Sequence, residues 1–263
     1  MGEKLFNILK RYKHVAIAFS GGTDSTLLAA AALRTLGHDN VLLIFADSAF
    51  TPRAERSFAI EWAKEHDFQF TVVDFAPLEM EDITINDPER CYHCKKAIFS
   101  KALQIASKQG YNILCDGTNT DDFGDYRPGL KACNELGVKQ PLADAGMDKQ
   151  AVRKLSKKLG NQNWNRPASA CLASRIPCGR RLNADLLKRI DAVEDILHEH
   201  GFTGGRARVS GDGIRLELPP EQIPRAASLC GELSEAIIKT GFSNVSLDLQ
   251  GYRRGSANNK LMN

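Results

Sequence analysis

A glycine pair lies between an apolar run and a run of helix formers near the start of the chain. Residues 14–19, HVAIAF, are typical of a buried parallel strand, and residues 26–33, TLLAAAAL, favour a helix. Between them stands SGGTDS, residues 20–25. Glycines let the backbone approach an anion, and the first turn of a helix offers N–H groups and a positive dipole end to a phosphate. A bare glycine pair also makes ordinary tight turns, but the flanking serines and Asp24 favour a nucleotide or phosphate site.

The spacing of this segment excludes two well-known phosphate loops. A Walker loop needs a lysine after its last glycine, and the dinucleotide fingerprint needs G-x-G-x-x-G; neither is present. The segment instead resembles the SGGxDS loop of the PP-loop ATP pyrophosphatases, which cleave ATP to AMP and pyrophosphate while adenylating an oxygen of the substrate. The resemblance implies that ATP binds at Ser20, Gly21, Gly22, Asp24 and Ser25.

The first half of the chain alternates between predicted strands and helices. Strands are predicted at 14–19, 41–46, 70–75 and 112–116, and helices at 24–36, 51–66 and 88–109. This order predicts an α/β fold with a doubly wound parallel sheet. Ligands should collect at the carboxyl ends of its strands, where Ser48, Gly117 and Thr118 stand, and we expect these three residues to bind ATP as well. The resemblance makes this sheet one of the PP-loop, adenine nucleotide alpha hydrolase-like type.

The pattern changes after about residue 178. A helix capped by Asn183 and ending at Gly201 precedes a hairpin around residues 211–213, a helix at about 220–239 and a strand at 243–249. We therefore expect a PP-loop domain over 1–165, a cysteine-bearing connection over 166–182, and a small C-terminal α+β domain over 183–263.

The charge of the 263-residue chain is divided unevenly. The net charge is +3, but residues 151–263 hold 18 Lys and Arg against 11 Asp and Glu, a net +7. The basic half favours an anionic partner, either a phosphorylated small molecule or RNA, over a merely solvated surface. The sequence shows neither an apolar run long enough for a membrane span nor a cleavable leader, so a cytoplasmic protein without a membrane partner is expected.

Four of the seven cysteines suggest chemistry. Cys91 and Cys94 form a C-x-x-C at the start of a predicted helix, and Cys171 and Cys178 lie in an irregular segment. Helix N-termini and neighbouring arginines favour the thiolate, the form that attacks carbon or binds metal. Two thiolates and a distant third could hold zinc, or an iron–sulfur cluster with one iron free. The alternative is a set of small buried side chains, and this is the interpretation for the remaining three, Cys115, Cys133 and Cys230. An odd number of cysteines outside a small secreted scaffold argues against a disulfide framework.

Five motifs, in order along nearly the whole chain, resemble the LarE family. They are DPERCYHCKK (87–96), DGTNTDD (116–122), DYRPG (125–129), RPASACLASR (166–175) and GYRRGS (251–256). This family comprises ATP-dependent sulfur transferases of nickel-pincer cofactor synthesis, the cofactor of lactate racemase. The resemblance implies an enzyme that uses ATP and Mg²⁺ to adenylate the carboxylates of pyridinium-3,5-biscarboxylic acid mononucleotide, releasing pyrophosphate and then AMP, and forms thiocarboxylates. A homo-oligomer is also expected.

The family contains two sulfur arrangements. Members with a single cysteine at the position of Cys171 give up that sulfur, whereas members with three, matching Cys91, Cys94 and Cys171, are thought to bind a [4Fe-4S] cluster carrying an extra sulfide. This chain has all three. We therefore expect the cluster, with sulfide or another sulfur donor as a partner and with these cysteines and Asp24 as the catalytic residues; loss of the Cys171 sulfur is the alternative. Cys178 departs from the family pattern, which leaves open a fourth ligand or a persulfide carrier.

Two arginines on one predicted strand suggest the binding site for the substrate phosphate. Arg206 and Arg208 lie two residues apart and so face one side of the strand, where guanidinium groups suit a phosphate. The resemblance ties this pair to the substrate phosphate and adds Arg175 and Arg253 more weakly, with Glu194 as a weak metal ligand. An exposed strand face is the alternative.

Two other function classes compete with this interpretation. A tRNA thiolase of the PP-loop superfamily would explain the basic half, but the sequence has no aromatic-rich RNA-binding module and no paired C-x-x-C zinc ribbon. A non-catalytic zinc or iron–sulfur regulator would have a degenerate nucleotide pocket, whereas the loop keeps Asp24 and Ser25. Nucleic acid is therefore not the expected partner.

Overall fold

The computed structural model describes residues 1–124, 128–167 and 170–253, which form two compact units. The first comprises Met1–Ser48, Ala54–Ala76 and Glu89–Ala168; the second comprises Ala49–Arg53, Pro77–Pro88 and the described part of Ser169–Asn263. The helices are α1 (Gly2–Tyr12), α2 (Thr23–Leu36), α3 (Arg53–Glu65), α4 (Glu81–Thr84), α5 (Arg90–Lys108), α6 (Pro128–Glu135), α7 (Pro141–Asp144), α8 (Lys149–Lys158), α9 (Ala184–Glu199), α10 (Ile223–Ser228) and α11 (Cys230–Ile238). The strands are β1 (Val15–Ala18), β2 (Val41–Asp47), β3 (Gln69–Asp74), β4 (Leu114–Cys115), β5 (Arg206–Ser210), β6 (Gly213–Glu217) and β7 (Val245–Leu247).

A four-stranded, all-parallel sheet organises the first unit, in the order β3-β2-β1-β4. The register places Val15 beside Val41 on one side of β1 and Ala16 beside Leu114 on the other. The chain thus proceeds outward from β1 through β2 and β3, and then returns to add β4 on the opposite side. The strand order reverses between β1 and β4, and such a switch point is where open α/β sheets bind ligands.

Apolar side chains cover both faces of this sheet. Ile17 and Leu43 belong to one core, which also contains residues of α1, α2, α3 and α8. Ala16 and Leu42, their neighbours in sequence, point to the other core, formed with α5 and α6. Burial on both faces explains why β1 and β2 are continuous apolar runs and not alternating ones. The predicted doubly wound α/β sheet is confirmed.

The second unit contains a small mixed sheet in the order β5-β6-β7. The strands β5 and β6 form an antiparallel hairpin whose turn includes Gly211 at φ +59°, and β7 runs parallel to β6. The Asn183 side chain accepts a 2.9 Å hydrogen bond from the Leu186 N–H and caps α9, as the sequence predicts. The predicted helix over 220–239 is instead two helices, α10 and α11. The Ser228 hydroxyl donates to the Arg225 carbonyl at 2.7 Å, a local bond that competes with helix continuation.

Several boundaries differ from the sequence prediction. The helix expected from Thr51 begins at Arg53, and the strand expected over 112–116 is only the two residues of β4. The helices α1, α4, α6, α7 and α8 were not predicted. Among the described residues, no helix combines the length and apolar character needed to cross a bilayer.

Candidate active site

The loop after β1 has a backbone that its glycines make possible. Gly21 has φ +74°, and a Cβ there would lie 3.1 Å from the Ala59 Cβ of α3. The Ser25 hydroxyl accepts from the Ser20 N–H at 3.3 Å and donates to the Gly22 carbonyl at 3.0 Å. The two serines of the motif therefore close the loop on itself, while the first glycine lets the chain turn against α3.

An asparagine distant in sequence, Asn163, fixes this loop by hydrogen bonds. The Asn163 side chain is 6% exposed; it donates to the Gly21 carbonyl at 3.1 Å and lies 3.0 Å from the Thr26 hydroxyl. Its backbone carbonyl also accepts from the Thr23 hydroxyl at 3.0 Å. Three residues of the loop and its helix are thus fixed by a single residue some 140 positions later in the chain.

The N-terminus of α2 is open toward the switch point. Gly22 is the N-cap residue, no side chain of the described residues caps the helix there, and the first backbone bond joins the Thr26 N–H to the Gly22 carbonyl at 3.0 Å. The Gly22 N–H donates to the Ser20 hydroxyl at 3.4 Å, whereas the N–H groups of residues 23–25 have no hydrogen-bond partner within the described residues. Those N–H groups and the helix dipole are therefore available to an anion. Gly117, which follows β4, packs so closely that a Cβ would lie 3.0 Å from the Ser25 nitrogen.

Asp24 lies at the start of α2 and is held on both sides. Its Oδ1 accepts from the Asn119 side chain at 3.3 Å, and its Oδ2 lies 2.5 Å from the Lys149 Nζ. Thr118 is buried and donates through its hydroxyl to Asp116 Oδ2 at 2.9 Å, while half-buried Ser48 directly follows β2. All eight residues predicted to bind ATP lie in the first unit, around the carboxyl ends of neighbouring strands.

The C-x-x-C pair lies in the first turn and a half of α5. Cys91 is exposed and Cys94 is half-buried, and the Arg90 Nη2 lies 3.4 Å from the Cys91 sulfur. A spacing of three residues places both side chains on one face of the helix. Among the described residues, no group of three His, Cys, Asp or Glu side chains is arranged to hold a metal ion. The donor set nevertheless fits an iron–sulfur cluster in its chemistry, because Cys91, Cys94 and Cys171 are all outside disulfides and accessible at least in part.

Cys171 has a fixed backbone and an exposed side chain in the second unit. Its carbonyl accepts from the Ser174 hydroxyl at 2.8 Å and from Arg175 Nη1 at 3.2 Å. Arg175 is 1% exposed and forms a double 2.8 Å contact with Glu194 on α9. Burial opposes its charge, but the hydrogen bonds and charge of Glu194 outweigh that effect and raise the pKa of Arg175. The ion pair therefore anchors the Cys171 segment to α9.

The arginines of β5 extend this cluster. Arg208 donates through Nε to Glu217 at 2.6 Å and through Nη1 to the Ser174 carbonyl at 2.8 Å. Arg206 is buried, and its guanidinium lies 5.3 Å from the centre of the Tyr252 ring. Burial, followed by the positive charge of Arg175, lowers the pKa of Arg206. A buried cation with a second one nearby is a favourable place for an anion.

The remaining predicted site residues also lie in the second unit. Arg253 is half-exposed and 3.8 Å from Asp248, and Cys178 is exposed. Glu194 contacts Arg175 and the Ala207 N–H, the latter at 3.0 Å. Residues 125–127, 168–169 and 254–256, which belong to three of the quoted motifs, lie outside the described part of the chain.

The other cysteines divide by burial. Cys115 and Cys133 are buried as predicted, and burial raises the pKa of both thiols, that of Cys133 to about 11. Cys230 was expected to be buried, which is wrong: it is exposed at the first residue of α11. A helical position predicts burial only on the face that packs against the core.

Sequence reasoning missed four residues of these sites: Asn119, Lys149, Asn163 and Glu217. Asn119 lies inside a quoted motif and directly follows Thr118, which was a usable signal. Glu217 alternates with apolar neighbours on a predicted strand, where a carboxylate opposite the arginines could have been suspected. Nothing local marks Lys149 or Asn163, because each acts across more than 120 residues of sequence.

Comparison with known proteins gives matches along the whole chain, although no protein-family model matches it. The pyridinium-3,5-bisthiocarboxylic acid mononucleotide synthase of Lactiplantibacillus plantarum is 37% identical over 96% of this chain and 92% of its own length. An uncharacterized protein of Synechocystis is 35% identical over 98% of this chain and 97% of its own. A glutamine-hydrolyzing GMP synthase component of Thermoplasma volcanium is 29% identical over 55% of this chain and 50% of its own, in line with a PP-loop fold for the parallel sheet. On the full-length similarity to the bisthiocarboxylic acid mononucleotide synthase, the chain belongs to the LarE family.

Proposed function

We propose that this protein is an ATP-dependent sulfurtransferase that converts the carboxylates of pyridinium-3,5-biscarboxylic acid mononucleotide to thiocarboxylates, forming AMP and pyrophosphate. The observation that carries the proposal is the open N-terminus of α2 behind the Ser20–Ser25 loop, at the switch point of a parallel sheet. Its support from outside the chain is the full-length relative whose name states a bisthiocarboxylic acid mononucleotide product.

In the first half of the proposed reaction, the loop holds ATP. The N–H groups of α2 and the Ser20 hydroxyl donate to the phosphates, and the Ser25 hydroxyl keeps the loop in shape through its bond to the Gly22 carbonyl. Mg²⁺ bound with ATP would neutralise part of the phosphate charge. A carboxylate oxygen of the substrate attacks the α-phosphorus, the bond to the bridging oxygen breaks, and pyrophosphate leaves with the electron pair. The acyl-adenylate so formed has AMP as a good leaving group.

The second unit supplies the proposed site for the substrate phosphate. Arg206 and Arg208 lie on one face of β5, and Arg253, which is half-exposed, belongs to the same unit. Arg175 uses its guanidinium on Glu194 and on two backbone carbonyls, at 2.7 Å to Ala170 and 3.2 Å to Cys171. In this proposal Arg175 therefore positions the Cys171 segment more than it binds phosphate.

In the second half, a sulfur nucleophile attacks the acyl carbon, and AMP leaves with the electron pair of the broken C–O bond. Bound to Cys91, Cys94 and Cys171, a [4Fe-4S] cluster would leave one iron without a protein thiolate and would supply an attachment point for an extra sulfide. The chain itself contributes two properties. The thiols of Cys91 and Cys171 are exposed to solvent, and the backbone of Cys171 is fixed by hydrogen bonds from Ser174 and Arg175.

The alternative sulfur source is Cys171 itself, which would lose its sulfur and become dehydroalanine after one turnover. The exposed Cys171 thiol would attack the acyl carbon and expel AMP, giving a thioester. A base would then remove the Cα proton of Cys171, and its Cβ–S bond would break so that the thiocarboxylate leaves with the electron pair and dehydroalanine remains. The basic net charge of residues 151–263 keeps a tRNA thiolase as a second candidate function, with tRNA as the anionic partner.

The test is anaerobic turnover with ATP, Mg²⁺, sulfide and the pyridinium mononucleotide, followed by pyrophosphate assay and mass spectrometry of product and protein. We expect pyrophosphate release that depends on the mononucleotide, several thiocarboxylates per protein, and an unchanged protein mass. One product sulfur per protein with loss of sulfur from Cys171 would select the sacrificial route. No pyrophosphate release with the mononucleotide, together with salt-sensitive tRNA binding, would overturn the assigned substrate.

Serine variants separate the two halves of the reaction. Cys91→Ser and Cys94→Ser should release pyrophosphate at the wild-type rate but form little thiocarboxylate. Cys230→Ser, which replaces another exposed thiol outside the proposed site, is the matched control and should behave as wild type. Normal multiple turnover in Cys91→Ser would exclude the three-cysteine arrangement.

A further inference from the structure

Lys149 provides a positive charge at the phosphate loop that the sequence motif lacks. The SGGTDS segment contains no lysine, unlike a Walker loop, whose lysine reaches the outer phosphates. In the folded chain, the Lys149 Nζ lies 2.5 Å from Oδ2 of Asp24, the second residue of α2. The ammonium group is thus beside the open helix N-terminus that is proposed to receive ATP.

The backbone of Lys149 is fixed independently of its side chain. Lys149 is the first residue of α8, which is capped by Asp148 through a 2.7 Å bond from the Ala151 N–H. Its own N–H donates to Asp121 at 3.1 Å. Because the start of α8 is anchored in this way, the position of the Lys149 side chain near the loop is determined by the backbone and not only by attraction to Asp24.

The ion pair leaves the ammonium group able to bind a second partner. Lysine carries three N–H donors, and the hydrogen bond that the structure gives to Nζ within the described residues is the one to Asp24. The Lys149 and Asp24 side chains are 22% and 26% exposed, so solvent and ligands can reach the pair. Partly exposed ion pairs contribute little to fold stability, so stability alone does not explain why a lysine stands at position 149.

Charge gives the pair a function toward ATP. An ionised Asp24 next to the loop would repel incoming phosphates, and Lys149 removes that repulsion while offering its remaining N–H donors. We propose that Lys149 binds the phosphates of ATP and takes the place of the lysine that the loop motif lacks. This inference rests on the proposed function, because it requires ATP as the ligand of the loop.

The experiment compares ATP binding by calorimetry and the KM for ATP in Lys149→Met and Lys154→Met. Lys154 lies on the same helix and is exposed, and its side chain has no hydrogen bond or ion pair within the described part of the chain, so it is the matched control. We expect Lys149→Met to weaken ATP binding at least tenfold with an unchanged thermal midpoint without ATP, Lys149→Arg to recover part of the affinity, and Lys154→Met to match wild type. Equal affinities in the two methionine variants would overturn the inference.

A double variant separates phosphate binding from simple neutralisation of Asp24. If Lys149 only neutralised Asp24, then Asp24→Asn combined with Lys149→Met would bind ATP as tightly as Asp24→Asn alone. The inference instead expects the double variant to bind at least tenfold more weakly than that single variant. Failure of the proposed function is recognised separately, since wild-type protein would then release no pyrophosphate with the mononucleotide, whereas calorimetry of ATP binding tests the role of Lys149 directly.

Discussion

Replacement of Asn163 by alanine tests whether the loop is shaped from outside the motif. The change removes the donor of the Gly21 carbonyl and the side-chain partner of the Thr26 hydroxyl. Gly21 is buried, so its unsatisfied carbonyl costs about 1–3 kcal/mol. Thr26 keeps the Gly22 and Thr23 carbonyls as acceptors, so the second loss is only about 0.5–1.5 kcal/mol. We expect a total destabilisation of about 1.5–4.5 kcal/mol.

The matched control is Asn161→Ala. Asn161 is also buried in the same segment, but its side chain donates to the Ser156 hydroxyl at 3.1 Å and does not contact the loop. Both variants should lose stability in urea denaturation, with the smaller loss of about 0.5–1.5 kcal/mol for Asn161→Ala. Only Asn163→Ala should also raise the KM for ATP. The same KM in both variants, or a loss below about 0.5 kcal/mol for Asn163→Ala, would refute the reasoning.

Three further changes test other parts of the structure. Gly117→Ala places a Cβ 3.0 Å from the Ser25 nitrogen, and this overpacking costs about 1–3 kcal/mol. We therefore expect the KM for ATP to rise about tenfold in Gly117→Ala. The control is Gly124→Ala, whose Cβ would meet no atom within 4 Å and whose KM for ATP should not change. Glu194→Ala leaves the buried Arg175 charge unpaired and should lower the free energy of unfolding by about 3–5 kcal/mol in urea denaturation; a loss below about 1 kcal/mol would contradict the anchoring role. The Ile196 carbonyl and then Glu232 raise the pKa of His200, so its stabilising contribution should be complete below pH about 6.5 and vanish as the pH rises through the folded pKa. Thermal midpoints of wild type and His200→Gln that differ equally at pH 5.5 and 8.5 would exclude this.

The sequence allowed the parallel sheet to be predicted because β1 and β2 are buried on both faces and so read as continuous apolar runs. The hairpin and the Asn183 cap were predictable because their signals are local. The break between α10 and α11 was not, since the Ser228 bond that competes there is one of several outcomes that a serine allows.

The residues of the candidate site also fall into two groups, those that a local sequence pattern indicates and those that only tertiary contacts bring together. The loop residues Ser20–Ser25 could be proposed as site residues because the motif is contiguous, and the cysteines because their spacing has chemical meaning. Lys149 and Asn163 reach the loop through tertiary contacts, which a single sequence does not encode as a pattern. Cys230 shows the opposite failure, because the helix was predicted but not which of its faces is buried.

The hold of Asn163 on the loop has a consequence for synthesis of the chain. The ribosome makes β1 and SGGTDS early, but the residue that fixes Gly21 and Thr26 is added some 140 positions later. The ribosome adds about 5–20 residues per second, and domains generally fold as units during this synthesis. A nascent chain ending before α8 would therefore contain the motif but not Asn163, the residue that fixes its conformation. We expect nucleotide binding to arise only after residue 163 has left the exit tunnel. The phosphate loop is thus synthesised early, but its structure is completed only when more than half of the 263-residue chain has been made.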